Sequence, residues 1–115
     1  MANPSAEGGA TAAGTEVLRR KWGSGGAATT ITPGTDTIIT VISVIWCSED
    51  ASSQTISLKL QGDNTTEVTM LKDQTLPSSG TFTWTDRFVM AGADVLTADS
   101  SNNADILISY IEQGF

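Results

Sequence analysis

A chain of 115 residues with no histidine, one cysteine and a formal charge of −7 fits a single domain and excludes an internal disulfide and most transition-metal chemistry. The acidity is uneven: residues 1–21 carry Arg19, Arg20 and Lys21 against Glu7 and Glu16, a net of +1 that leaves −8 for the rest. An acidic body repels phosphate, so no nucleic acid is expected as a partner, and no apolar run reaches the roughly 20 residues of a membrane-spanning helix, so no membrane is expected either.

The opening MANPSAEGGATAAG has no large aliphatic residue after Met1 and cannot bury enough apolar area to offset its ordering entropy. It reads as a frayed terminus or as an arm that orders against a neighbouring subunit. It also lacks the charged and apolar regions of a secretory signal, so folding in a cytoplasm is expected.

Gly14 to Trp22, GTEVLRRKW, differs sharply from the arm before it and the linker GSGGAA after it. Half of the six cations of the protein sit here beside an aromatic residue. Val17, Leu18, Arg19, Arg20, Lys21 and Trp22 are therefore candidate partner-binding residues, since Arg and Trp are enriched at interface centres. The alternative is a first edge strand whose cations discourage edge-to-edge pairing.

A short Thr-rich strand follows at about Ala28 to Ile31, then a turn in which Pro33-Gly34 fits the centre of type II geometry. Asp36 to Cys47, DTIITVISVIWC, is the core strand. β-branched residues dominate it and both alternating sets of positions are apolar, which predicts a strand covered on both faces. Cys47 reads as a small buried hydrophobe. Gln54 to Gln61 alternates Ile56, Leu58 and Leu60 with Thr55, Ser57 and Lys59, the pattern of a half-buried antiparallel strand.

After the turn Gly62-Asp63-Asn64, Glu67 to Lys72 reads as a shorter strand. In Thr81 to Met90, Phe82, Trp84, Phe88 and Met90 share one parity, with a bend expected near Thr85 to Arg87 where Asp86 breaks it. Val95 to Ala98 and Ile106 to Phe115 complete the set, the last expected inside a sheet beside the core strand. Seven or so strands about every ten residues, with no amphipathic helix, indicate an antiparallel sandwich or Greek-key barrel.

No catalytic set is visible. Nucleophilic catalysis usually needs a tuned base, and without histidine the remaining choices are Lys59 and Lys72, both at solvent-facing strand positions, or a carboxylate dyad built on the loop pair Glu49-Asp50. No enzyme activity, metal or cofactor is expected. Asp94, Asp99 and Asp105 flank Ser- and Asn-rich loops that offer hard oxygen ligands for calcium, but they lack EF-hand spacing and are ordinary turn residues. Of Trp22, Trp46 and Trp84, only Trp22 lies outside a pattern that predicts burial.

GTEVLRR at 14–20, TFTWTDRFVMAGADVL at 81–96 and ADILISYIEQ at 104–113 resemble small virion structural proteins of tailed bacteriophages. The resemblance implies a one-domain β-sandwich or jelly-roll protein that decorates or cements the capsid, often as a homotrimer, with the major capsid protein and itself as partners and the capsid exterior as its location. A neck or tail accessory subunit, and a receptor- or glycan-binding module on a spike, are the alternatives. The expected fold is an antiparallel, jelly-roll-like β-sandwich of about seven to eight strands with an extended N-terminal arm. Residues 1–22 would form the arm and docking segment, 23–35 a linker and first short strand, and 36–115 the sandwich core. On this division residues 2–22 are dispensable for folding.

Overall fold

The structure is a computed structural model that describes residues 5–6, 14–62 and 66–115. Most of the expected arm and the turn residues Asp63 and Asn64 lie outside the described residues. The strands are β1 (Ser5–Ala6), β2 (Glu16–Gly23), β3 (Thr29–Ile31), β4 (Gly34–Ser48), β5 (Gln54–Gln61), β6 (Glu67–Leu76), β7 (Thr81–Trp84), β8 (Phe88–Gly92), β9 (Val95–Ser100) and β10 (Ala104–Gly114).

They form two sheets. Sheet A has the order β1-β2-β10-β4-β7, with β8 pairing further along the same edge of β4, and sheet B has the order β3-β9-β5-β6. All pairings are antiparallel except that of β1 with β2. With β1 set aside and β7 and β8 taken as halves of one broken strand, the pairs nest: β2 with β10, β3 with β9, β4 with β7 and β8, β5 with β6. Nested pairs wound into two sheets are the jelly-roll arrangement that the sequence leads one to expect.

Turn chemistry sets the corners. Gly34 adopts φ +89° after Pro33, and Ser79 has φ +58° inside the turn closed by Gly80 N–H donating to the Pro77 carbonyl at 2.9 Å. Between β7 and β8 the bend falls at Thr85 to Arg87, and the Trp84 Nε1–H donates to the Asp86 carbonyl at 2.8 Å. Gly26, at φ +85°, lies against the loop before β10, and a Cβ there would stand 2.8 Å from the Asn102 carbonyl oxygen. Both the backbone conformation and the close approach oppose a side chain, so Gly26→Ala is expected to lower stability by about 2 kcal/mol. Urea denaturation measures this.

The core is the space between the sheets. Trp46, Val44, Val41 and Ile39 of β4 and Ile106 and Ile108 of β10 meet Ile56 and Leu58 of β5 and Leu96 of β9, all at most 1% exposed. The Trp46 ring packs edge-on to Phe82 at 5.9 Å, and its Nε1–H crosses to sheet B to donate to the Asp99 carbonyl at 3.2 Å. At one end Gln54, itself buried, donates from Nε2 to Ser48 Oγ at 3.0 Å and to the Asn103 carbonyl at 2.8 Å, while its Oε1 accepts from Asn102 N–H at 3.1 Å. These bonds satisfy polar groups that the sandwich buries and tie the loop before β10 to the start of β5.

Two expectations need correction here. The sandwich does not begin at residue 36: β2 pairs with β10 over eight residue pairs, from Gln113–Glu16 to Ile106–Gly23, and β3 pairs with β9. Residues 2–22 therefore include most of a sheet strand, and deleting them would leave one side of β10 unpaired. Nor is the core strand covered on both faces. In β4 the buried positions are Thr37, Ile39 and Val41, then Val44, Trp46 and Ser48, with the parity reversed across Ile42–Ser43, where the register against β10 shifts. That extra residue exchanges inner and outer faces midway, so apolar residues fall on both parities of a strand buried on one face only.

Candidate functional site

Strand β2 carries every candidate partner-binding residue, and its alternation divides them. Arg19 pairs with buried Tyr110 of β10, so Val17, Arg19 and Lys21 take the core-facing parity. Leu18, Arg20 and Trp22 take the outer parity, opposite Ile111, Ser109 and Leu107. The three consecutive cations are thus not one basic patch. Arg19 is 8% exposed, and its Nε lies 3.2 Å from Glu112 Oε2. Its charge is neutralised inside the protein and does not steer partners. Lys21 is half-buried.

Arg20 and Trp22 remain for recognition. Trp22 is 55% exposed, and the Arg20 guanidinium sits 5.6 Å from the centre of its ring. A cation over an indole face is favourable by about 0.5–1 kcal/mol at an exposed site and holds both side chains in one orientation. Beside them a shallow cavity of about 280 Å³ is lined by Trp22, Ile45, Cys47, Asp105 and Leu107, among others. Cys47, expected to be buried, is half-buried on the wall of this depression.

The depression is part of a larger surface. The outer face of sheet A presents Leu18 and Trp22 from β2, Leu107 and Ile111 from β10, Ile38 and Ile45 from β4 and Val89 from β8, all half-buried or exposed. Among the described residues, the large hydrophobics recorded as most exposed are Trp22, Val68, Val89 and Phe115. Trp22 and Val89 belong to this face, and Phe115 follows the end of β10, two residues beyond the outward Gln113. These apolar side chains alternate along the strands with polar rows, Arg20, Ser109 and Ser43 on one side and Glu16 and Gln113 on the other, which makes the face a candidate interaction surface. The outer face of sheet B contrasts with it, bearing Thr55, Ser57, Lys59 and Thr97.

Sequence reasoning found Trp22 and Arg20 but missed Ile45, Leu107, Ile111 and Val89. The signal was present as apolar residues on both parities of two strands, and it was read as burial on both sides. Of the aspartates considered for calcium, Asp94 acts in a turn, where its Oδ2 accepts from Ala91 N–H at 3.1 Å; Asp99 lies near the end of β9, its Oδ1 accepting from Ser100 N–H at 2.8 Å, and Asp105 lies in β10. Among the described residues no three His, Cys, Asp or Glu side chains gather in a way that would hold a metal ion.

Fold and surface together define the class: a jelly-roll sandwich whose sheet A carries exposed apolar side chains beside Arg20 on its outer face. No protein-family model matches the chain, and no curated protein matches it.

Proposed function

We propose that this chain is a non-enzymatic virion structural protein that decorates the capsid of a tailed bacteriophage, cementing its surface through contacts between subunits and with the major capsid protein. The observation that carries the reading is the outer face of sheet A, where Leu18, Arg20 and Trp22 of the candidate docking segment stand beside outward Leu107, Ile111 and Ile45. A cement protein needs such a face, because subunits that bridge a lattice must present preorganised area to each other. The resemblance of residues 14–20, 81–96 and 104–113 to phage virion proteins supplies the setting.

The test is co-sedimentation of purified protein with capsids that lack it. Wild type is expected to bind to saturation, and Trp22→Ala, which removes an exposed anchor without touching the core, is expected to weaken binding at least about tenfold. Undiminished binding by Trp22→Ala overturns the assignment of this face. Saturation of isolated necks or tails, with none of capsids, moves the protein to an accessory position there. The exposed Trp22 indole also suits stacking on a sugar ring, and binding to glycans that is lost in Trp22→Ala would make the chain a receptor-binding module instead.

A further inference from the structure

The occupant of the outer face of sheet A is a second copy of this chain, we infer, packed face to face about a two-fold axis that runs across the strands along the row Leu18, Ile111, Thr40 and Val89. This deepens the proposed function, because it assigns the subunit contact that a cementing role requires. It is tested on purified protein without capsids, so the two fail separately.

The register of the strands supplies the argument. Across sheet A the outward residues form rows. Leu18 stands opposite Ile111, Ile111 opposite Thr40, and Thr40 opposite Val89. One row towards the end of β2 stand Arg20, Ser109 and Ser43; one row the other way stand Glu16, Gln113 and Ile38. Beyond the first of these come Trp22, Leu107 and Ile45, and beyond the second comes Phe115.

A two-fold axis along the Leu18 row lays each strand on its own copy, running the opposite way, and exchanges the flanking rows. Arg20 then stands over Glu16 of the second copy, and Glu16 over its Arg20, giving two symmetric ion pairs at the rim. Leu107 comes over Phe115 of the second copy and Trp22 over Gly14 beside it, where no side chain stands in the way of the indole. Val89 and Leu18 meet themselves across the axis. Placing the axis one row along, on Arg20, would instead bring like charges together.

The size is adequate. Four strands about 4.8 Å apart and five rows about 6.7 Å apart cover on the order of 600 Å², near the roughly 800 Å² per partner of a specific interface. Aligned packing of twisted sheets rotates them by about 30° and leaves the centre of the contact in place. Within one chain Glu16 and Arg20 are two rows apart, about 13 Å by strand geometry, so exchanging their charges costs the monomer little.

Sedimentation equilibrium of the full chain at micromolar concentration reads the result. Wild type is expected at twice the 12.0 kDa mass of the chain. Arg20→Glu and Glu16→Arg, each of which sets like charges opposite, are each expected to weaken the pair at least about tenfold. The double exchange Arg20→Glu/Glu16→Arg is expected to restore it to within about threefold of wild type. A monomer or a trimer for the wild type overturns the proposal, and so do single exchanges that leave the mass unchanged or a double exchange that stays dissociated. A native β-type circular dichroism spectrum and a cooperative melt for all three variants show that the mass reports association and not loss of the fold.

Discussion

Trp46→Ala is expected to lower the stability of this protein by about 3–5 kcal/mol, the range for emptying a fully buried aromatic site. The side chain is 0% exposed, lies between the two sheets and holds them in three ways. It fills part of the core that also holds Ile56 and Leu96, it meets Phe82 edge-on, and it spans the sandwich through the bond to the Asp99 carbonyl. Sheets packed about 10 Å apart have no backbone hydrogen bonds between them, so the cross-sheet link is lost with the ring. Against a typical total of about 5–15 kcal/mol, the loss would bring the domain close to unfolding at physiological temperature. Circular dichroism melting should show the midpoint fall by roughly 15 °C. Trp46→Phe retains most of the buried area and should cost less than half as much; equal losses for the two would mean that the hydrogen bond, not the packing, dominates.

Glu112→Ala is the second large effect, at about 3–5 kcal/mol, because it leaves the Arg19 guanidinium buried without the carboxylate beside it. The pair joins β2 to β10 diagonally on the inner face, with side chains 8% and 12% exposed, where a lone charge loses hydration without compensation. The attraction between the two groups is itself opposed by the desolvation of both. Arg19→Met with Glu112→Leu is therefore expected to lie within about 1 kcal/mol of wild type, while each single change is costly. A double-mutant cycle by urea denaturation measures the coupling; additive losses would show that the two side chains act independently.

The same pair explains why the beginning of the chain was hard to read. In VLRRKW the cations occupy both parities, so the segment shows no alternation and its contrast with the Gly-rich stretches on either side suggests a detached element. Its strand character comes from β10, at the other end of the chain, and Glu112 of that strand meets Arg19 on the inner face. β5, by contrast, was legible to the residue: alternating Ile56, Leu58 and Leu60 between polar loops specify a strand from neighbours alone. The break at Thr85 to Arg87 was legible for the same reason, since Asp86 cannot continue the apolar parity set by Phe82 and Trp84.

The candidate site was half legible. An exposed Trp beside cations stands out in any sequence, and Trp22 is exposed. The apolar face around it does not stand out, because Ile38, Ile45, Leu107 and Ile111 look like core residues and would be so in a strand covered on both sides. Removing that cover changes nothing within ten residues of any of them.

What the amino-acid sequence determined by itself is most of the strands from Thr29 onward, the corners between them and the chemistry that is absent. Propensity, alternation and turn geometry act over a few residues, and a chain without histidine or a second cysteine lacks those groups in any fold. Only the tertiary structure decided which parity of β4 and β10 faces the core, where a one-residue shift at Ile42–Ser43 exchanges the faces, which of three adjacent cations is neutralised, and which apolar side chains stay open to a partner. Those outcomes depend on pairing between segments far apart in the chain, and the short-range pattern is the same whichever way they fall.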